Sequence, residues 1–392
     1  MGVRYIPPMT RNHPFVTVAI RAVAVVTLAA GCGGVDDPGG PVQLAVGVSH
    51  VCARLSGGGI RCWGSDVVGE LGNGTRAVQS GPVAVAGVTN ATGLAAGNLS
   101  GCATLGDGTA RCWGGNREGE LGDGTTTDRP SPVPVSGVTL AGAVSAGHDH
   151  GCARRLDGAV WCWGDNSAGQ LGDGTSAART GAVRVAGVAG VTEVGAGNLH
   201  TCARTSGGAV WCWGDNRYGQ LGDGTTSSRA VPAAVAGLTG ATALAVGDWH
   251  ACAVLADGTA RCWGRNDAGQ LGDGSGVSRG MPAAVSGIGG AVQLAAGQFH
   301  TCARTGVGAL WCWGANPLGE LGDGTTTGRV LPVAVMAPAG AVELAAGGDH
   351  TCARWDDGTV RCWGRNGSGE LGDGTTVDRS VPVVARVTAA AP

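Results

Sequence analysis

The chain contains no lysine, and all 26 of its basic residues are arginine. It has only 2 Tyr and 2 Phe, and charged residues make up 14% of it. A formal net charge of −3 without basic clusters lacks the electrostatic footprint of a nucleic-acid binder. No repeating unit holds an amphipathic window of helix length, so an α-helical architecture is excluded. What is abundant is small or sulfur-bearing: 76 Gly and 15 Cys, with 12 Trp, among 392 residues. With 43% hydrophobic residues the chain is not a disordered tail. Its glycines do not fall at every third position, which excludes collagen.

Residues 1–31 are expected to be an export signal. Arg4, Arg11 and Arg21 precede a short apolar run at 22–30, which ends in Leu28-Ala29-Ala30-Gly31-Cys32. A basic start, a short apolar stretch and small residues before a cut have that meaning, and the run is too short to span a bilayer as a helix. Its end resembles the lipobox of bacterial lipoproteins, which implies that Cys32 is lipidated and becomes the new N-terminus. Ordinary cleavage, leaving Cys32 as a free thiol, is the alternative. Residues 32–41 read as a Gly-rich tether, and 42–392 as one folded domain.

That domain is a fifty-residue unit repeated seven times. Cys52, Cys102, Cys152, Cys202, Cys252, Cys302 and Cys352 are spaced by 50, and so are Cys62, Cys112, Cys162, Cys212, Cys262, Cys312 and Cys362. Trp-Gly follows each second Cys, then Gly-Glu/Gln-Leu-Gly, then Asp/Asn-Gly-Thr/Ser. Each unit has four short strand patterns. In the last unit Val342, Leu344 and Ala346 alternate, then come residues 350–354, 359–363 and 382–387. Four strands per unit and seven units predict an all-β, seven-bladed β-propeller, one repeat per blade. A stacked solenoid needs atypical capping repeats, and neither end unit is atypical. The chain termini are expected to close the ring by sharing a blade, with 382–387 completing the first unit's sheet beside 42–46.

The unit resembles the repeat of the regulator of chromosome condensation family. The residues that carry the likeness are Ala346 to Cys352 (Ala-Gly-x-x-His-Thr-Cys), Asp357 to Val360, Trp363-Gly364, Asn366 and Gly369-Glu370-Leu371-Gly372. The resemblance implies a propeller. For function it implies little, because one fold hosts unrelated activities. By resemblance, a guanine-nucleotide-exchange-like regulator is an alternative; family members with that activity use a hairpin inserted in a blade, and every unit here is of bare length. Secreted propellers of similar appearance inhibit β-lactamases, which implies that such loops can bind proteins.

The repeat cysteines sit on one hairpin. Counting outward from Asp357, Cys352 faces Cys362, so each Cys-x9-Cys pair is expected to form a disulfide in an exported protein. Nine intervening residues do not fit the tight spacing of zinc ligands. No metal and no cofactor is expected.

Recurring polar residues are expected to be structural. His50, His150, His200, His250, His300 and His350 recur at one radius, too far apart to share an ion, and each is expected to hydrogen-bond a neighbouring turn. Asp123 and its equivalents in Gly-Asp-Gly are expected to be turn residues, and Arg129 and its equivalents to be structural, either binding those turns or pairing with acids between blades. The nearest approach to a catalytic group is His148-Asp149-His150, which leaves a propeller hydrolase or lyase as an alternative. What varies between units is the pair before each recurring histidine. Asp248-Trp249 and Gln298-Phe299 put two aromatics on adjacent blades, with Asn198 in the blade before, and the expected hot spot is Trp249 and Phe299 rimmed by Asn198, Asp248 and Gln298. A second variable loop follows Trp-Gly and includes Arg217-Tyr218 and Pro317-Leu318. The expectation is a monomeric, non-enzymatic scaffold at the bacterial cell envelope, tied to the membrane only through its lipid, with an unidentified protein partner.

Overall fold

A computed structural model describes residues 39–387; the expected signal, Cys32 and most of the expected tether lie outside the described residues. Among the described residues, strands form seven four-stranded antiparallel sheets, each built from four consecutive strands. Blade 1 comprises Pro41–Val46, His50–Leu55, Ile60–Gly64 and Gln79–Ala84. The pattern recurs every fifty residues, ending in blade 7 with Ala341–Ala346, His350–Trp355, Val360–Gly364 and Arg379–Val384. The domain is a seven-bladed propeller, and none of its described residues forms a helix.

The first strand of each blade lines the axis. Small side chains such as Ala45, Ala95 and Ala295 suit that crowded position, and the space they enclose is about 320 Å³. The alternation expected along this strand is interrupted. A bulge between Ala341 and Glu343 leaves Val342 38% exposed while Leu344 is 3% exposed. An extra residue reverses which face follows it. The second and third strands are the most buried, and their register pairs Cys352 with Cys362. All seven such pairs are disulfides, from Cys52–Cys62 to Cys352–Cys362.

Because a twisted four-stranded blade cannot bury its faces alone, the core is divided into seven wedges between neighbours. The wedge between blades 5 and 6 holds Cys252, Cys262, Leu271, Leu294 and Trp313. Each wedge is keyed by a fully buried tryptophan whose Nε1 donates to a backbone carbonyl of the preceding blade. Trp313 Nε1 reaches Gln270 O at 2.9 Å. The recurring Trp-Gly and Gly-Glu/Gln-Leu-Gly motifs are therefore the two halves of one inter-blade joint.

The same joint closes the ring, and this corrects the expected shared blade. Arg379–Val384 pairs with Val360–Gly364 and completes blade 7, while blade 1 is complete with its own four strands. Closure is by packing and by bonds between blades. Trp63 Nε1 donates to Glu370 O at 2.8 Å, and the Leu44 N–H donates to Glu343 Oε1 at 2.9 Å. Ala385 and Val387, just beyond the last strand, fill the wedge with Leu55 and Trp63. Residues 79–84 already occupy the outer edge of blade 1, so the strand the sequence seemed to lack was never needed.

Candidate functional site

Two sets of loops share one end of the propeller. The short turn between the first and second strands carries Trp249 and Phe299, and the long loop after Trp-Gly runs beside it, because His250 pairs with Gly264. Gly264 has φ +104°, and a Cβ there would lie 2.6 Å from the Trp249 carbonyl. Only glycine lets the two loops approach this closely.

The contact creates a ladder of rings and guanidinium groups across three blades. Arg217 lies over the Trp249 ring at 5.8 Å. Tyr218 of blade 4 meets Trp249 of blade 5 edge to face, centroids 5.8 Å apart. Arg265 of blade 5 lies 5.1 Å from the Tyr218 ring and 4.9 Å from Phe299 of blade 6. Each guanidinium is held by a carboxylate of its own loop: Arg217 Nε is 2.9 Å from Asp215, and Arg265 forms a bidentate pair with Asp267 at 2.8 and 2.6 Å. Planar groups are thus presented with their charges already neutralised. Trp249 and Phe299 are half-buried within this ladder rather than free at loop tips. Arg265 was not among the expected site residues. Its signal is positional: the residue after Trp-Gly varies, being Ser65, Gly115, Asp165, Asp215, Arg265, Ala315 and Arg365.

Asp248 is not on the rim of the aromatic pair. It lines a space of about 80 Å³ at the mouth of the axis, together with Asn98 and His148. The turn between the two strands thus sends Asp248 to the axis and Trp249 onto Tyr218 of the preceding blade. Asn198 and Gln298 occupy the equivalent positions of blades 4 and 6, half-buried, with their N–H groups bonded to carbonyls of the following blade. The structure therefore brings Trp249 and Phe299 together through Arg265, and separates Asp248 from them.

The recurring histidines lie between blades. His150, His250 and His300 each meet the threonine of the next blade, Thr201, Thr301 and Thr351, at 2.9, 2.7 and 2.9 Å. The ring nitrogens of His50, His200 and His350 are buried with no partner among the described residues, where the next blade offers Gly101, Ala251 and Val51. This corrects the expected bond at every blade. Burial pulls the five recurring imidazoles after His50 down to about 3 or 4, so they are neutral at physiological pH. His148 and His150 therefore do not converge: one is at the axial mouth, the other in this layer.

In the Gly-Asp-Gly turns the carboxylate is satisfied within its own loop, while the second glycine donates its N–H to the next blade, as Gly174 does to Ala230 O at 2.9 Å. Asp173 accepts from the Thr175 backbone and hydroxyl, and Arg179 reaches its other oxygen at 2.9 Å. These bonds hold the carboxyl below the usual range against the opposing effect of burial. Among the described residues, no three His, Cys, Asp or Glu side chains gather as a metal site.

The profile of the regulator of chromosome condensation (RCC1) repeat matches residues 107–154, 157–204, 207–254, 257–304 and 307–354. The chain belongs to this RCC1 repeat family. A second profile of the same repeat matches five shorter segments, from 143–170 to 341–370. Each RCC1 match begins at one blade's hairpin and ends in the next blade's second strand, so the family unit contains the inter-blade joint. A search of curated proteins finds no match. Among solved structures, human WBSCR16 is 24% identical with a TM-score of 0.74, over 82% of this chain and 92% of that one. Yeast RCC1 (Prp20), solved bound to Kap60, is 19% identical with a TM-score of 0.72, over 94% of this chain and 91% of that one. Prp20p from Saccharomyces cerevisiae, described with its binding to Gsp1p and histones, is 21% identical with a TM-score of 0.68, over 81% and 84%. These likenesses establish the fold.

Proposed function

We propose that this RCC1 repeat protein is a non-enzymatic binding scaffold of the cell envelope, holding a protein partner on the face that carries Trp249, Tyr218, Arg265 and Phe299. The observation that carries the proposal is the ladder itself. Most repeat positions recur blade after blade, yet here five large side chains from three blades interlock at one end. Aromatic and arginine side chains with neutralised charge and low remaining freedom are what interface hot spots use. Solved RCC1-type propellers are described bound to Kap60 or as binding Gsp1p and histones, which agrees with a binding role for such a fold. Export is supported by seven disulfides, which persist in oxidising compartments. The tether beginning at Cys32 then leaves the propeller at the membrane surface.

The test is recovery of partners by the mature protein from its own envelope fraction, compared with Trp249→Ala/Phe299→Ala. The specific partner should be retained by the native face and lost by at least about tenfold in the double variant. Equal recovery by both removes the site. Cys32→Ser should move the protein from the membrane fraction to the soluble one, and unchanged attachment would rule out the anchor.

A further inference from the structure

The axial mouth is chemically distinct from the ladder and serves no step of the binding role above. A ring of glycines makes the neck. A Cβ on Gly97 would lie 2.4 Å from the Gly147 carbonyl, and the same approach repeats at each blade. The residue after each ring glycine donates its N–H to the next blade's glycine carbonyl, as Asn98 does to Gly147 at 3.1 Å. One blade breaks the rule: Asn198 donates to the carbonyl of Asp248 at 3.2 Å instead. The ring is irregular at the blade that carries the acid.

Among the described residues, only Asn98, His148 and Asp248 bring polar side chains to this mouth. His148 Nδ1 donates to Asp149 Oδ2 at 2.9 Å when it carries the proton, and accepts from Asn98 Nδ2 at 3.1 Å when it does not, so the imidazole is held in either state. Asp248 is not. Its Oδ2 is buried and has no hydrogen-bond partner among the described residues. A buried carboxylate oxygen without a donor is costly, and the missing partner is a donor, most simply a cation. Further carboxylates, Asp149 and Asp349, lie nearby, and the positive groups facing them are His148 and Arg365. The mouth encloses about 80 Å³, several times the roughly 10–15 Å³ that one water needs, and shares its lining with the axial space below, so a compact cationic head with a short tail fits. Among the described residues no three His, Cys, Asp or Glu side chains gather here as a metal-ligand set. The chain has no lysine, so no side-chain ammonium of its own can fill the place.

We propose that the axial mouth binds a primary alkylammonium group, with Asp248 as its counter-ion and neighbouring backbone carbonyls of the neck as its other acceptors. An ammonium has three donors and a compact shape, which fits one orphaned carboxylate oxygen among carbonyl groups. Binding is coupled to pH. Burial pushes the Asp248 carboxyl up to about 6, against the favourable charge of His148 and with the repulsion of Asp349. The hydrogen bond to Asp149 chiefly raises His148, aided by the charges of Asp248 and Glu120. Raising the pH ionises Asp248 and discharges its competitor His148, so both changes strengthen the site, while an alkylammonium keeps its proton to about pH 10.

The ammonium can be a free amine or the lysine tip of a protein. Calorimetric titration of the native propeller with n-butylammonium, with n-butanol as neutral isostere and with an Nα-acetyl-lysine amide, separates these sources. Saturable binding of n-butylammonium at pH 8 and none of n-butanol is expected. Binding of the lysine amide as well assigns the site to a side chain, and its exclusion assigns it to a free amine. Asp248→Asn should weaken binding by about tenfold or more, equivalent to about 1.4 kcal/mol. Should that variant not fold, the native protein decides alone, since its affinity must fall as pH drops through about 6. No saturable binding, equal binding of n-butanol, or an affinity independent of both Asp248 and pH overturns the proposal.

Discussion

At the end of the propeller that carries the long loops, the position before the recurring histidine holds Trp249 and Phe299 in blades 5 and 6 but Ser49 and Leu99 in blades 1 and 2. In the first region the loops reach across blade boundaries and lock ring against guanidinium. In the second the contact is aliphatic: Gly115 has no side chain to offer, the buried Val68 of blade 1 lies beside it, and Leu99 stays 36% exposed. Yet both regions rest on the same joints beneath, Trp63 and Trp113 in one and Trp263 and Trp313 in the other. Stability resides in what recurs, while surface chemistry resides in what does not.

The sharpest way to break that separation is at the frame. Trp63→Ala should destabilise the propeller by about 3–5 kcal/mol, because it empties a buried wedge and removes the bond that joins the first and last blades. Chemical denaturation would measure it, and a loss below about 1 kcal/mol would mean the ring closes by other contacts.

A smaller effect distinguishes blades that carry Glu from those that carry Gln at one joint position. Burial pushes the Glu320 carboxyl up to about 7. In the unfolded chain it ionises near the ordinary glutamate value, so its contribution is present at acid pH and is lost as pH rises through about 7. Glu320→Gln, the residue found at Gln170, Gln220 and Gln270, should flatten the fall in Tm between pH 5 and 8 by roughly 2–4 °C. An unchanged pH profile would remove Glu320 from the account.

Smaller again is the supply of a missing partner. Among the described residues the His200 ring has no hydrogen-bond partner, since blade 5 offers Ala251, whereas His250 meets Thr301. Ala251→Thr should therefore stabilise by about 1 kcal/mol in a thermal melt; destabilisation would show that the pocket lacks room for the hydroxyl. The least effect on stability is expected from Trp249→Ala with Phe299→Ala, below about 1 kcal/mol, since both are half-buried and outside the wedges. A large loss in the melt would reassign the ladder to the frame.

The Thr–His pairs were legible in principle. Thr201, Thr301 and Thr351 directly follow a recurring histidine, but each serves the histidine of the preceding blade, 51 residues away. Reading one unit at a time hides a bond that crosses units. The ladder was half legible for the same reason: Trp249 and Phe299 stand out against the repeat, but Arg265, which links them, reaches Tyr218 of the blade before and Phe299 of the blade after.

The sequence by itself determined the number of blades, the four strands of each and the cysteine pairing, because these depend on a fixed period and on residues a hairpin apart. Only the tertiary structure decided how the ring closes, that Asp248 faces the axis while Trp249 faces outward, and which loops meet. Those outcomes depend on the angle at which each blade packs on the next. That angle is set jointly by all seven wedges, since a closed ring admits no independent error, and no single fifty-residue unit contains it.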